Sequence, residues 1–369
     1  MIVALAGPIF SLLLAVFCAL ALWKTGKPVK EHASTTVGYV LEDSPAQRAG
    51  LKPNDTILKV NDVEVTCFRG NFHTGLSENI IFSEGEKIRL TILREGKTLV
   101  LECGFEIPET HFMKRKATRK IGIAPKEACI VHQTIHHSPA ELAGLKQGDI
   151  IVSINGQPAL SPSQIFYASA KGEPLNLVVE NEGQQRTLSV MPIKPQAPHD
   201  QEFQIGIVFA PDRSVITDSL QYYTPVESIS SAAQVMFTTL SKLISPQSDI
   251  TVGHLSSPLG IGRTYFDLLQ SDQALRWVLW FTLIFNVNLA IFNMMPFPVL
   301  DGGHVTLSLF EMIRGNSLKG TGAQILAHIQ TSFALLLLGL MVYVLTKDIA
   351  DLPIFGGTPK VPLSFAPPK

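Results

Sequence analysis

The sequence predicts a multi-pass α-helical membrane protein with three spanning helices and two extracytoplasmic α+β domains. Three observations predict this class: long charge-free apolar runs, a polar middle region, and an 18-residue stretch that occurs twice. The mean hydropathy of +0.23 is high for a chain in which 17% of residues are charged. The net charge is −1 and the charges form no long basic run, so nucleic acid is not expected as a partner.

Charge-free apolar runs predict the spanning helices, since about 20 such residues cross a bilayer. We expect them at residues 1–25, 275–301 and 327–347. No Lys or Arg precedes the first run and its apolar core is long, which argues against a cleaved signal peptide.

The orientation follows from basic residues in the loop 302–326. Arg314 and Lys319 in this loop predict that it is cytoplasmic. The central region and the tail 348–369 then lie outside the cytoplasm. Lysines just after the first helix argue weakly for the opposite orientation. The tail contains many prolines and is expected to be disordered.

The repeat consists of SPAQRAGLKPNDTILKVN and SPAELAGLKQGDIIVSIN, which begin at residues 44 and 138 and are identical at 10 of 18 positions. Ser44 and Ser138 are predicted to cap a short helix that begins with proline. Gly50 and Gly144 are predicted to end that helix in a left-handed conformation. An alternating strand should follow in each copy.

The repeated pattern resembles the helix–turn–strand core of PDZ domains. It implies two PDZ-like domains at 36–108 and 118–195, then a connector 196–262 that contains an amphipathic helix at 225–245. PDZ domains capture peptide or protein tails by adding a strand to a sheet edge. A steric plug that controls access to the membrane site is the alternative. The helix could lie on the membrane surface or pack on the two domains.

This region also contains two histidines and two cysteines at spacings that bear on metal binding and disulfide formation. His132 and His136 have a spacing that brings ligands together only on a helix, but the repeat aligns them with a strand. At ~3.3 Å per residue they would stand about 13 Å apart, so no metal site is expected there. Cys67 and Cys103 fall in one domain and could form a disulfide or remain free thiols.

The segment 286–304, NVNLAIFNMMPFPVLDGGH, ends the second predicted span with two prolines and an acid. An ionisable group at the end of an apolar helix is costly unless it is paired or bound to a metal. Irregular backbone at membrane depth is tolerated where it lines a cavity. Taken by themselves, these residues also fit a plain helix end followed by an Asp-Gly-Gly turn.

This segment is similar to the NxxPxPxLDG motif of the site-2 protease family of intramembrane zinc metalloproteases. AGPIFSLLLA at 6–15 and HLSSPLGIG at 254–262 resemble two further elements of the family, with Ser11 and Ser257 at positions where Asn and Gly are usual. The resemblance covers most of the chain in the family's order, and it is greatest to bacterial members with tandem PDZ domains.

The resemblance implies the site residues. Asp301 matches a zinc ligand, and Asn293 and Pro296 match residues that contact the substrate strand. The expected function is cleavage of single-pass membrane proteins, such as an anti-sigma factor or remnant signal peptides, in the lipid bilayer of the bacterial inner membrane.

One family element does not occur in this sequence. HExxH, which supplies two zinc ligands and a general base, is found at none of the ten histidines. No catalytic residue is therefore expected in this chain, and the zinc site should be incomplete. A late start site, a fragment or a separate polypeptide would explain this. The alternative function is a catalytically inactive membrane adaptor with PDZ domains.

Overall fold

The computed structural model describes residues 2–110, 115–196, 202–316, 320–350 and 363–366. The chain divides into two compact units. The membrane unit comprises Met1–Val29, Thr110–Lys116 and Ser219–Asp351, and the repeat unit comprises Lys30–Glu109, Ala117–Asp218 and Leu352–Lys369.

The helices of the described residues are numbered in chain order. They are α1 (Ile2–Thr25), α2 (Pro45–Arg48), α3 (Leu76–Ile81), α4 (Pro139–Leu142), α5 (Pro162–Ala170), α6 (Pro225–Ile244), α7 (Pro258–Leu269), α8 (Ala274–Asn293), α9 (Asp301–Arg314) and α10 (Thr321–Ala350).

Among the described residues, three helices of the membrane unit are long and apolar enough to cross a bilayer: Ala4–Thr25 within α1, all of α8 and all of α10. The prediction of three spanning helices is confirmed. Helices α1, α6 and α8 share one core, in which Ala15 and Ala19 of α1 meet Ala232 of α6 and Leu283 of α8. Small residues on α1 and α6 let these helix backbones approach closely.

The second predicted span was wrong at its end. Helix α8 stops at Asn293, and Asp301 begins the new helix α9 instead of closing the old one. Pro296 and Pro298 cannot donate a backbone hydrogen bond, so the helix cannot run through them. Most of the loop predicted at 302–326 is therefore helical, and its Lys319 lies outside the described residues.

The strands of the described residues are also numbered in chain order. They are β1 (Lys27–His32), β2 (Val37–Val40), β3 (Thr56–Val60), β4 (Val63–Glu64), β5 (Ile88–Arg94), β6 (Lys97–Cys103), β7 (Ile123–Pro125), β8 (Cys129–Thr134), β9 (Ile150–Ile154), β10 (Gln157–Pro158), β11 (Leu175–Asn181), β12 (Gln184–Val190), β13 (Ile207–Phe209) and β14 (Ile216–Gln221).

The repeat unit contains a sheet around each copy of the repeated stretch. The first sheet has the order β4-β3-β5-β6, and a separate pair joins β2 to β7. The second has the order β12-β11-β9-β8-β13, with β10 on β9. Each sheet covers its own apolar core.

The predicted helix caps are confirmed in both copies. Ser44 Oγ accepts the Gln47 N–H and Ser138 Oγ accepts the Glu141 N–H, both at 3.2 Å. Gly50 and Gly144 have φ of +83° and +86°, the left-handed conformation that favours glycine.

A closing strand completes each copy from further along the chain, and the predicted boundary at 118 was wrong for this reason. Ile121 is buried in the first core, and its carbonyl accepts the Ala46 N–H at 2.9 Å. Ile205 does the same in the second core with the Ala140 N–H, also at 2.9 Å. Each closing strand pairs with the strand that precedes the short capped helix, β7 with β2 and β13 with β8.

Part of the predicted disordered tail has a defined position in the repeat unit. Phe365 is only 4% exposed, and the Ser364 carbonyl accepts the Gln196 N–H at 2.8 Å. The expectation of disorder was therefore wrong at residues 363–366, because an aromatic side chain there is buried. The other tail residues beyond Ala350 lie outside the described residues.

All four cysteines are buried free thiols. Cys67 and Cys103 are thus unpaired, which corresponds to one of the two alternatives. Burial raises the pKa of the Cys103 thiol to about 11. A thiol with that pKa stays protonated near neutral pH and is a poor nucleophile.

Candidate functional site

Asp301 stands at the first position of α9, and its carboxylate faces α1. A Cβ placed on Gly7 of α1 would lie 2.6 Å from Asp301 Oδ2, so glycine at this position lets the carboxylate reach the α1 backbone. Among the described residues, no hydrogen bond or ion pair to this carboxylate is found. The N-terminal end of the 14-residue helix favours a negative charge here.

The irregular segment 294–300 between α8 and α9 is held by α10. Gln330 Nε2 donates to the Pro298 carbonyl at 3.2 Å. The rings of Phe297 and Phe333 stack with their centroids 5.2 Å apart. These contacts satisfy and cover backbone that the prolines exclude from a helix, as irregular backbone in a membrane requires.

Two glycines fix the start of α9 against this segment. A Cβ on Gly302 would lie 2.3 Å from the Met294 carbonyl oxygen, and one on Gly303 would lie 2.0 Å from that of Phe297. Only glycine permits such an approach. The Asp-Gly-Gly sequence therefore does more than turn the chain, because it presses the first turn of α9 onto the irregular segment and so positions Asp301.

An apolar cavity of about 630 Å³ lies in the membrane unit, between α1, α6 and the end of α8. Pro8, adjacent to Gly7, lines it together with other α1 residues. Phe237 of α6 and the end of α8 with the irregular segment complete the wall. The full lining is Leu5, Pro8, Ile9, Leu12, Phe237, Ala290, Ile291, Met294, Met295 and Pro296. Such a cavity can accept apolar side chains, and Asp301, whose carboxylate faces the neighbouring Gly7, does not itself line it.

The predicted site residues are partly brought together. Pro296 lines the cavity, and Asp301 contacts the helix that forms another of its walls. Asn293 is the last residue of α8 and is absent from the described lining. Sequence reasoning missed Gly7 and Phe237, which no motif singled out for this role. It also missed Asn288, whose buried Oδ1 has no hydrogen-bond partner among the described residues.

The donor set at Asp301 can be compared with what zinc requires. A catalytic zinc takes three protein ligands and leaves a position open. Asp301 offers one unpaired carboxylate that fits this role. The described residues contain one group of three close His, Cys, Asp or Glu ligand atoms, and it does not include Asp301. The described part of the chain thus fits one ligand of a zinc ion and does not complete the site.

A second cavity, of about 540 Å³, lies in the repeat unit. Residues 118–125, which include the closing strand β7, form one side of it, and Ile80 and Ile81 around α3 form another. Arg119 gives it positive charge while stacking on the Phe105 ring, with its guanidinium carbon 3.8 Å from the centroid. The arrangement is a strand and a helix that flank an open groove.

Comparison with known proteins adds independent information. The profile described as "Peptidase family M50" matches residues 1–337. The "Regulator of sigma-E protease RseP" of Salmonella typhimurium is 25% identical over 360 residues, covering 92% of this chain and 76% of that protein.

Two further relatives cover similar shares. "Putative zinc metalloprotease PM1991" of Pasteurella multocida is 25% identical over 354 residues, or 92% of this chain and 76% of the relative. "Protease RseP" of Yersinia pestis is 26% identical over 358 residues, with the same two shares, 92% and 76%.

Proposed function

Since the chain belongs to peptidase family M50, the site-2 protease family, we propose that it is an intramembrane zinc metalloprotease in which Asp301 is a zinc ligand. The observation that carries the proposal is the Asp301 carboxylate, held without a protein partner among the described residues and directed at Gly7 of a spanning helix. An unpaired carboxylate in such a place is costly unless a cation binds it.

The chemistry divides between the metal and the chain. Zinc in a site of this kind polarises the carbonyl and activates a water molecule. The chain's own residues position the reacting groups. The N-terminal end of α9 favours the negative charge of Asp301, and Gly302 and Gly303 fix the position of its helix turn. The apolar side chains that line the cavity suit the apolar groups of a substrate.

We propose that the apolar cavity of the membrane unit, whose wall includes Pro8 next to Gly7, receives an unwound segment of a single-pass membrane protein. Its lining of aliphatic side chains, methionines and Phe237 suits the side chains of a membrane-spanning substrate. The Asn293 side chain makes no hydrogen bond to the described residues, so its amide can pair with substrate backbone. Pro296 donates no backbone hydrogen bond and leaves room beside the extended segment of the substrate.

We propose that the two sheets of the repeat unit are PDZ-like domains outside the cytoplasm, on a bacterial inner membrane. The support is their shared arrangement of capped helix, sheet and closing strand, together with the groove between β7 and α3. A peptide or protein tail would bind there by adding to the strand. The family resemblance makes an anti-sigma factor one candidate substrate and remnant signal peptides another, and the words "Regulator of sigma-E protease" in the name of one relative agree with the first.

The test compares Asp301→Asn with Asp272→Asn, an exposed acid in the loop before α8. Cells would express each variant together with a polypeptide that carries HExxH and with a single-pass reporter, and cleavage would be followed by immunoblot. A photocrosslinker at Phe237 would report substrate capture. We expect D301N to lose at least 100-fold in cleavage, since one zinc ligand is removed, and D272N to keep it.

Cleavage by D301N at the wild-type rate would refute the assignment of Asp301 as a zinc ligand. Wild-type protein that crosslinks to the reporter and does not cleave it would instead fit an adaptor without protease activity.

A further inference from the structure

Three side chains with metal-binding atoms converge in the repeat unit. They are His136 and His137, in the turn after β8, and Glu141 of α4. One ligand atom from each lies within 4.8 Å of the other two. His136 is exposed and the other two are partly exposed, so an ion from solution can reach them.

The geometry of the cluster is defined by Glu141. Its Oε2 accepts the His137 backbone N–H at 2.6 Å, and its Oε1 lies 3.2 Å from His136 Nδ1. The two imidazole rings lie against each other with centroids 3.8 Å apart and planes inclined by 31°. His137 has φ of +60°, and this left-handed turn places the two rings side by side.

The first copy of the repeat shows which part of this arrangement the fold requires. At an offset of 94 residues, Asp43 stands for His137 and Gln47 for Glu141. Asp43 is also left-handed, with φ of +56°, and its N–H donates to Gln47 Oε1 at 2.7 Å. A neutral amide therefore suffices to hold the turn. The turn in the second copy therefore does not require a carboxylate at 141 or imidazoles at 136 and 137.

We propose that His136, His137 and Glu141 form a binding site for a divalent transition-metal ion of the zinc type. Two imidazoles and one carboxylate are a donor set that zinc accepts, with water in the remaining position. The ion would replace the weak contact between His136 and Glu141 and would fix the turn that joins β8 to α4. The site is separate from the one proposed at Asp301 and does not depend on it.

Zinc binding to the detergent-purified full chain tests the proposal. Equilibrium dialysis against Zn²⁺ would be run on wild type, E141Q, H136Q and H137N, with metal measured by mass spectrometry. E141Q keeps the acceptor that Gln47 supplies in the first copy, and Asn at 137 tolerates a left-handed backbone. Each variant is therefore expected to fold. We expect each to bind this zinc at least tenfold more weakly.

The control is H132Q, since His132 is an exposed histidine of the neighbouring β8 and is not in the cluster. It should bind as wild type does. Repeating the dialysis with D301N separates the two sites, because D301N keeps all three ligands of this cluster and should bind its zinc as wild type does. Binding by both E141Q and H137N within threefold of wild type would overturn the proposal and leave the assignment of Asp301 untouched.

Discussion

Asp149 is a buried acid whose charge is stabilised by its neighbours. Its side chain has no exposed surface. Burial by itself would raise its pKa, but hydrogen bonds from the Lys146 N–H, the Asn181 amide and the Arg186 guanidinium hold the pKa below its usual value. Asp149 Oδ1 accepts the Asn181 Nδ2 hydrogen bond at 2.7 Å. The second copy of the repeat therefore depends on a carboxylate that is ionised inside the fold.

The pH dependence of Asp149→Asn follows from that lowered pKa. An unfolded Asp titrates near pH 3.9, so the ionised side chain stabilises the fold fully above about pH 5. The stabilisation is lost as the pH falls through the lower folded pKa. We expect D149N to cost about 2 kcal/mol at pH 7, less than the full loss of a buried ion pair because Asn keeps one acceptor.

The measurement is urea unfolding of the full chain at pH 7 and pH 3, followed by the circular dichroism of its strands. Asp62→Asn is the matched control, because Asp62 is 87% exposed and lies 3.7 Å from Arg89. A D149N cost equal to that of D62N at pH 7, or one that does not shrink at pH 3, would contradict the prediction.

At the scale of single residues, the roles of some residues could be predicted from their neighbours in the sequence, and the roles of others could not. Ser44, Ser138, Gly50 and Gly144 follow from capping chemistry, which needs only neighbours in the chain. The cluster around Glu141 could not be found in this way, because it depends on His137 adopting a left-handed turn. The spacing of His132 and His136 predicts no metal site on a strand, and it gives no signal for the adjacent His137.

At the scale of elements, the start of α9 shows where periodicity fails as a guide. An apolar run predicts one span through 301, yet α8 ends at Asn293 and α9 begins at Asp301, with its first turn packed on the segment between them. The prolines at 296 and 298 account for the break, because they donate no backbone hydrogen bond. The close packing of Gly302 and Gly303 on the segment before them could not be predicted, since it depends on the path of that segment in three dimensions.

Gly303→Ala tests this packing. The added methyl group would lie 2.0 Å from the Phe297 carbonyl oxygen, so the first turn of α9 must move. We expect loss of reporter cleavage by more than tenfold, because small displacements of a positioned group are costly to catalysis. Gly339→Ala in α10 is the control, since nothing lies within 4 Å of its added methyl group. Equal activity in the two variants would show that Asp301 does not need this contact.

The closing strands are the second case at this scale. Propensity and repeat alignment placed residue 118 at the start of the second domain, although Ile121 belongs to the first core. A three-residue strand such as β7 carries little periodic signal of its own. Its partner, β2, lies more than 80 residues earlier in the chain, and single-sequence patterns do not reveal such a pairing.

At the scale of the whole molecule, three separate segments of the chain form the repeat unit, and the last of them is the C-terminal tail. Membrane spans and repeats were predictable because composition and self-similarity extend over many residues. The docking of the tail was not, since its prolines and glycines are typical of disorder. One aromatic side chain outweighs that composition: Phe365 is almost fully buried, with a ring carbon 2.8 Å from where a Cβ on Gly206 would stand.

Phe365→Ala tests whether this side chain holds the tail. Burying an aromatic side chain contributes roughly 2 kcal/mol, which is ample to hold a short segment in place. Without it, the Ser364 carbonyl should leave the Gln196 N–H unprotected. Hydrogen exchange of the full chain, read on peptides that span Gln196, should then be at least tenfold faster. Ser364→Ala is the matched control, because it keeps the backbone carbonyl that accepts the hydrogen bond at 2.8 Å. Unchanged protection of Gln196 in F365A would mean that contacts other than the buried ring hold the tail on the second sheet.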